Sequence, residues 1–160
     1  MIFKLCVTIA TLFSIHCYAN NALLNIEGFK VEVIKLSHSD SETENTTGEN
    51  ALEEMIRRDL MNANIATTEH RDATVLHCQV ISLPLTYQEG AAPVGFAYSI
   101  ELKVEEFDEL KRNEGIMTLI SPWGTHMLQI TTPELYAEHL RSSIREMVKR
   151  FIKDYKDAND

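Results

Sequence analysis

A chain of 160 residues with 44% hydrophobic side chains has room for one domain with a buried core, and this composition excludes a disordered protein. A formal charge of −9 argues against nucleic-acid binding as the main task, because phosphate backbones are held by clustered lysines and arginines. Beyond solubility, the acidity specifies nothing.

The N-terminus has the form of a targeting segment. Lys4 precedes an almost wholly apolar run from Leu5 to Ile15, and Cys17-Tyr18-Ala19 ends in the small residue a signal peptidase requires. The run is too short to span a bilayer as a stable anchor. Residues 1–19 are therefore expected to be a cleaved signal peptide, leaving a single domain at 20–160 in the periplasm or outside the cell. Lipid anchoring through Cys17 is disfavoured, since His16 stands where a lipoprotein peptidase needs a small residue. Cleavage would leave Cys78 as the one cysteine and bring the charge to −10, 14 bases against 24 acids. No internal disulfide is then available. In its strand-like run, Cys78 is expected to behave as a small buried hydrophobe, a reactive or intermolecular thiol being the functional alternative.

Residues 20–28 read as a loose lead. Phe29 to Leu36 alternates apolar and polar side chains, as a half-buried strand does. Residues 37–47 (SHSDSETENTT) contain no apolar side chain and read as an exposed acidic loop, with a glycosylation sequon at Asn45-Thr46-Thr47. Thr46 with Glu49 fits a capping box, and Leu52, Met55, Ile56, Leu60 and Ala63 share one face of a helix expected over 49–62. Asn62 and Asn64 suit its C-terminal end, and 65–72 is a polar connection.

Ala73 to Leu85 is nearly continuous in apolar character and reads as a central strand, with Pro84 near its end. Residues 88–93 form a turn. Phe96, Tyr98, Ile100, Leu102 and Val104 then alternate with Ala97, Ser99, Glu101, Lys103 and Glu105, giving a strand with one wet face. After a turn at 108–115, a fourth strand covers 116–130, interrupted or ended near Pro122 and Gly124. Thr132 is a good N-cap and Pro133 suits the first helical position. From there Leu135, Tyr136, Leu140, Ile144, Met147, Val148, Phe151, Ile152 and Tyr155 form one apolar stripe on a helix ending near Asn159.

The order is β-α-β-β-β-α. It predicts an α+β fold, a four-stranded mixed sheet with both helices packed on one face. The other face carries Glu101 and Lys103, yet the apolar run at 73–85 suggests that it too is partly covered. With only two helices, a partner or a dimer mate would supply that cover. Clear alternation in the second strand's exposure would weaken this idea.

The pattern Tyr98-Ser99-Ile100-Glu101-Leu102, Trp123-Gly124, then Ile144-Arg145, Val148, Phe151-Ile152 and Tyr155 resembles a family of uncharacterised secreted proteins of Gram-negative bacteria. The resemblance covers about Leu24 to Asn159 and brings no catalytic residue with it. In topology alone the order is similar to small periplasmic assembly domains, namely the N-terminal domain of the Tol-Pal translocation protein and the outer-membrane lipoprotein that plugs the lipopolysaccharide translocon. The absence of a lipobox departs from the second of these.

No pattern here carries recognisable chemistry. His38, His70, His77, His126 and His139 lack the spacing of a zinc site, and His77 and Cys78 point to opposite faces of one strand. His38, Asp40 and Glu42 offer at most a loose cation site in a solvated loop. There is no G-x-S-x-G and no glycine-rich phosphate loop. Glu53-Glu54 and Glu105-Glu106 are sequence neighbours that diverge, which makes them poor acid/base pairs. No cofactor and no metal site is expected.

Charge, however, is segregated. Residues 141–156 hold six bases and two acids, a balance of +4. Arg141, Arg145, Lys149 and, after one slip, Lys153 and Lys156 fall near one side of the last helix, either as a solvated face or as a docking ridge for an acidic partner or, peripherally, acidic lipid headgroups. Trp123 either fills the gap between sheet edge and helix or stands exposed as an interface anchor, core packing being preferred. These features favour a non-enzymatic accessory or binding domain of the cell envelope, with a protein partner or a homodimer mate. The alternative is a carrier of a small apolar ligand, in a pocket lined by Val80, Ile100, Leu119 and Ile144. An enzyme would need His and acids converging in a cleft.

Overall fold

The computed structural model describes residues 23–37, 48–88, 90–109 and 115–159. The expected signal peptide, Cys17 and residues 38–47 of the acidic loop with its sequon lie outside them, while Ser37 ends β1. The elements are β1 (Lys30–Ser37), α1 (Glu49–Asn62), β2 (Val75–Leu85), β3 (Gly95–Glu109), β4 (Met117–Thr131) and α2 (Tyr136–Asn159), the last entered through a 3-10 turn at Pro133–Leu135. This is the expected β-α-β-β-β-α order of an α+β fold. The sheet order is β1-β2-β3-β4, with β1 parallel to β2 and the other pairs antiparallel. Only the parallel pair needs a crossover, and α1 provides it.

One side of every strand is buried. Cross-strand partners Val33, Cys78 and Leu102 point the same way, as do Val31, Leu76, Val104 and Trp123, and both helices lie over them. α1 contributes Leu52, Met55, Ile56 and Leu60, and α2 contributes Leu140, Ile144, Met147, Val148 and Phe151. Steps of three and four residues keep each set on one side of its helix. Phe151 lies among aromatic rings, edge-on to Phe29 at 5.2 Å and Trp123 at 5.0 Å between centroids.

Three local expectations are corrected. α1 does not use Glu49 in a capping box: its N-cap is Gly48, without a side-chain bond, and the Glu49 carboxylate instead accepts the Lys35 N–H at 2.7 Å. That bond ties the start of α1 to β1. The lead is not loose from Leu23 onward. Leu23 is fully buried, Asn159 donates its side-chain amide to the Leu23 carbonyl (2.9 Å), and the Tyr155 hydroxyl donates to the Ile26 carbonyl (2.8 Å). Asn25 also donates its N–H to Asn159 (3.1 Å), so the end of α2 clamps the beginning of the domain. Finally, β4 is not interrupted. Its register steps from Val104–Trp123 to Glu106–Ile120, placing Ser121 and Pro122 opposite Glu105 in a bulge. Pro122 is tolerated because β4 is an edge strand. Asn64 does adopt the expected left-handed conformation, at φ 61°.

The β3–β4 pairing is tight at one point. A Cβ on Gly95 would stand 2.8 Å from the Thr131 carbonyl oxygen, which is backbone and cannot swing aside. Gly95→Ala is expected to lower stability by about 1–3 kcal/mol, seen as a drop in the urea midpoint. Gly124→Ala, whose nearest neighbour would be the Lys103 Cβ at 3.4 Å, an ordinary contact, is the control and should move it little.

Candidate functional site

Among the described residues both helices lie on one side of the sheet, which leaves the other face open. β2 alternates clearly: Leu76, Cys78, Val80 and Ser82 are buried, while Val75, His77, Gln79, Ile81, Leu83 and Leu85 face outward, partly or well exposed. This weakens the expectation that a partner or a dimer mate covers the whole second face, since a strand made to be buried on both sides would not alternate. It also localises the problem. Exposure alternates along the whole strand, but polarity does not.

Rows of cross-strand partners divide the open face in two. Glu32–His77–Lys103–Gly124 and Ile34–Gln79–Glu101–His126 carry the charge. Leu36–Ile81–Ser99–Leu128 and Leu83–Ala97–Ile130 follow, with Leu85 opposite Gly95, and no side chain there ionises. Ile34, Leu36, Ile81, Leu83, Leu85, Leu128 and Ile130 are each between 36% and 54% exposed. β3 contributes only glycine, alanine and serine here, so it forms a shallow trough between the aliphatic ridges of β2 and β4.

The charged half is internally paired. Lys103 Nζ lies 2.8 Å from Glu105 and 3.6 Å from Glu101, and Lys30 lies 2.7 Å from Glu32. The bond to Glu105 holds the Lys103 ammonium above its ordinary range. Burial pushes the Glu105 carboxyl up, but the Lys103 bond and His77 outweigh it and leave the group below the usual carboxylate range. His77 Nδ1 is 3.4 Å from Glu105, and neither ring nitrogen makes a hydrogen bond. A groove of about 800 Å³ opens at this end, between Lys30, Arg71, Glu105, Phe107 and Leu119.

The helix residues singled out by charge lie elsewhere. Arg141, Arg145 and Lys149 border one shallow groove on α2, but Glu134, Glu138 and Glu146 border it too. Arg145 is 3.8 Å from Asp59 of α1, and Lys153, further along, is 3.6 Å from Asp157. The ridge is thus interleaved with acids, and exposed pairs of this kind contribute little energy. Trp123 is not on the surface. It is 3% exposed, stacked edge-on against Phe151, and donates its indole N–H to Asp154 at 3.0 Å. The four residues suggested for a carrier pocket do not share one: Val80, Ile100 and Ile144 are in the core, and Leu119, beyond the bulge, is half-exposed on the open side.

No protein-family model matches this chain, and no curated protein matches it in sequence. Several solved structures show a distant likeness. A PelC dodecamer from Paraburkholderia phytofirmans is similar over 92% of this chain and 95% of its own, at 10% identity and TM-score 0.37. A minor lipoprotein from Acinetobacter baumannii is similar over 82% and 92%, at 12% identity and TM-score 0.36. For the rare lipoprotein B of Shewanella oneidensis the figures are 79% and 91%, 12% identity and 0.27. Two of the three are lipoproteins. At such identities no functional residue is carried across.

Beneath α2 lies a polar cluster that sequence patterns missed. Gln129 Oε1 accepts from the Tyr98 hydroxyl (2.5 Å) and from Ser143 Oγ (3.0 Å), Ser82 is bonded to the Tyr136 hydroxyl, and Thr131 Oγ1 lies 2.8 Å from His139 Nδ1. The available signal was three polar residues, Ser82, Gln129 and Thr131, at inward-facing strand positions. Their bonds satisfy one another and fix the first half of α2 on the sheet. Among the described residues no group of three or more His, Cys, Asp or Glu is placed to hold a metal ion, and no helix is long and apolar enough to cross a membrane.

Proposed function

We propose that this chain is a non-enzymatic accessory domain of the cell envelope that works by protein–protein contact, docking through the uncharged half of its open sheet face. One observation carries the reading: branched aliphatic side chains stand a third to a half exposed where strand alternation would place polar ones. A contiguous apolar surface at the upper end of what monomers carry is often a functional one, which supports an interaction site here. Location in the envelope is supported by the signal-like N-terminus. The mixed charges on the outer side of α2 make that ridge, with Arg141, Arg145, Lys149 and Lys153, a secondary contact at most.

The test is a photo-crosslinking residue placed at Leu83 in exporting cells, with Met61 on the exposed side of α1 as the control position. Protein adducts from Leu83 and none from Met61 are expected. A folded, exported chain giving no protein adduct from Leu83 would overturn the reading.

A further inference from the structure

Resting on that reading, we infer that the occupant of the uncharged half-face is a second copy of this chain, bound about a two-fold axis. An isologous contact requires one surface to fit itself. This one does, in shape and in chemistry. The small residues Ala97 and Ser99 of β3 lie between the ridges formed by Ile81 and Leu83 on β2 and by Leu128 and Ile130 on β4. Turned about a two-fold, a ridge of one copy enters the trough of the other, as the inner faces of packed sheets interdigitate.

Charge points the same way. A partner recognised electrostatically would be met by ionised groups, and among the described residues this half-face has none. The ionised residues of the open face lie in the adjoining rows, paired among themselves as Lys30–Glu32 and Glu101–Lys103–Glu105. They would form the rim of a face-to-face pair and would not have to be dehydrated.

The area is sufficient. The six aliphatic side chains of the uncharged rows, Leu36, Ile81, Leu83, Leu85, Leu128 and Ile130, present on the order of 500 Å² of apolar surface, toward the top of the range for the largest patch on a monomer. Two such patches placed face to face remove about 1,000 Å² from water, which is where specific interfaces begin. A contact at the low end of that scale belongs with weak, reversible associations, and a dissociation constant of roughly 1–100 μM is the expected result. Opposing it is the long-range repulsion of two chains that each carry a formal charge of −9, or −10 without residues 1–19. Salt screens that repulsion and leaves apolar contact intact, so association should tighten as salt rises, opposite to the behaviour of an interface made of ion pairs.

Sedimentation equilibrium of the exported protein over a concentration series tests this. The mean mass is expected to climb from one copy to two, with the midpoint moving to lower concentration between about 0.05 and about 0.5 M salt. Leu83→Glu and Ile130→Glu should each weaken association by about tenfold or more, at unchanged circular dichroism. Phe107→Glu, on the open face but beyond the charged rows, should leave it unaltered. A chain that remains monomeric at about 100 μM in both salts overturns the inference, as does a dimer indifferent to both glutamates. The crosslinker at Leu83 separates this inference from the reading beneath it. An adduct of twice the monomer mass supports the second copy. Adducts only to a different protein sink the dimer and leave the docking face standing, and no protein adduct at all sinks both.

Discussion

Phe151→Ala is expected to destabilise the fold by about 3–5 kcal/mol, the largest effect of any single truncation proposed for this chain. The ring is fully buried on α2 and meets Phe29, Trp123 and Tyr155. Those three come from the lead into β1, from β4 and from the next turn of α2, so one side chain holds both ends of the domain to the sheet. Its removal leaves a void bounded by rigid rings, which cannot collapse into it as flexible aliphatic side chains do. Chemical denaturation followed by tryptophan fluorescence reads the effect directly, because Trp123 packs on the deleted ring. Phe107→Ala, on a side chain 72% exposed, should stay within about 0.5 kcal/mol. Comparable losses in the two variants would mean that the centre of the core lies elsewhere.

Much of this arrangement was legible because periodicity reports which side of an element is apolar. The stripe on α2, the alternation of β3 and the helix at 49–62 all follow from spacing alone. What spacing does not report is what the apolar side meets. The run at 73–85 reads the same whether its outer residues are covered by the chain, by a partner or by nothing, and only the sheet order shows that Ile81, Leu83 and Leu85 face away from both helices. Pro122 suggested a break because proline takes an N–H out of the ladder. On an edge strand, next to a bulge, that N–H is not needed. The clamp between Asn159 and Leu23 joins residues 136 apart, a distance no local pattern spans. The candidate docking face has the same origin: Ile81, Ser99 and Leu128 become neighbours only once the register is set.

Cys78 should make the fold sensitive to alkali. The thiol is fully buried among core side chains, and burial pushes its pKa up to about 12, since a thiolate there would have neither water nor a cation beside it. In the unfolded chain the same thiol titrates near about 8.5. Below that pH both states keep the proton, and Cys78 contributes no pH dependence. Between about 8.5 and about 12 the unfolded chain releases a proton that the folded chain retains, so stability falls as pH rises, by about 1.4 kcal/mol per pH unit. Tyr98, whose hydroxyl is raised by burial, and Lys103, raised by its bond to Glu105, bend the curve the same way. The measurement is therefore a difference. Urea midpoints of the parent and of Cys78→Val, which has a similar volume and no ionisable group, are compared near neutral pH and again near about pH 10.5. The parent is expected to lose on the order of 3 kcal/mol more than the variant over that interval. Parallel losses would mean that the thiolate is solvated in the fold, and the thiol should then also react with an alkylating reagent under native conditions. A buried thiol does neither, and that would exclude the intermolecular disulfide considered for Cys78 from the sequence.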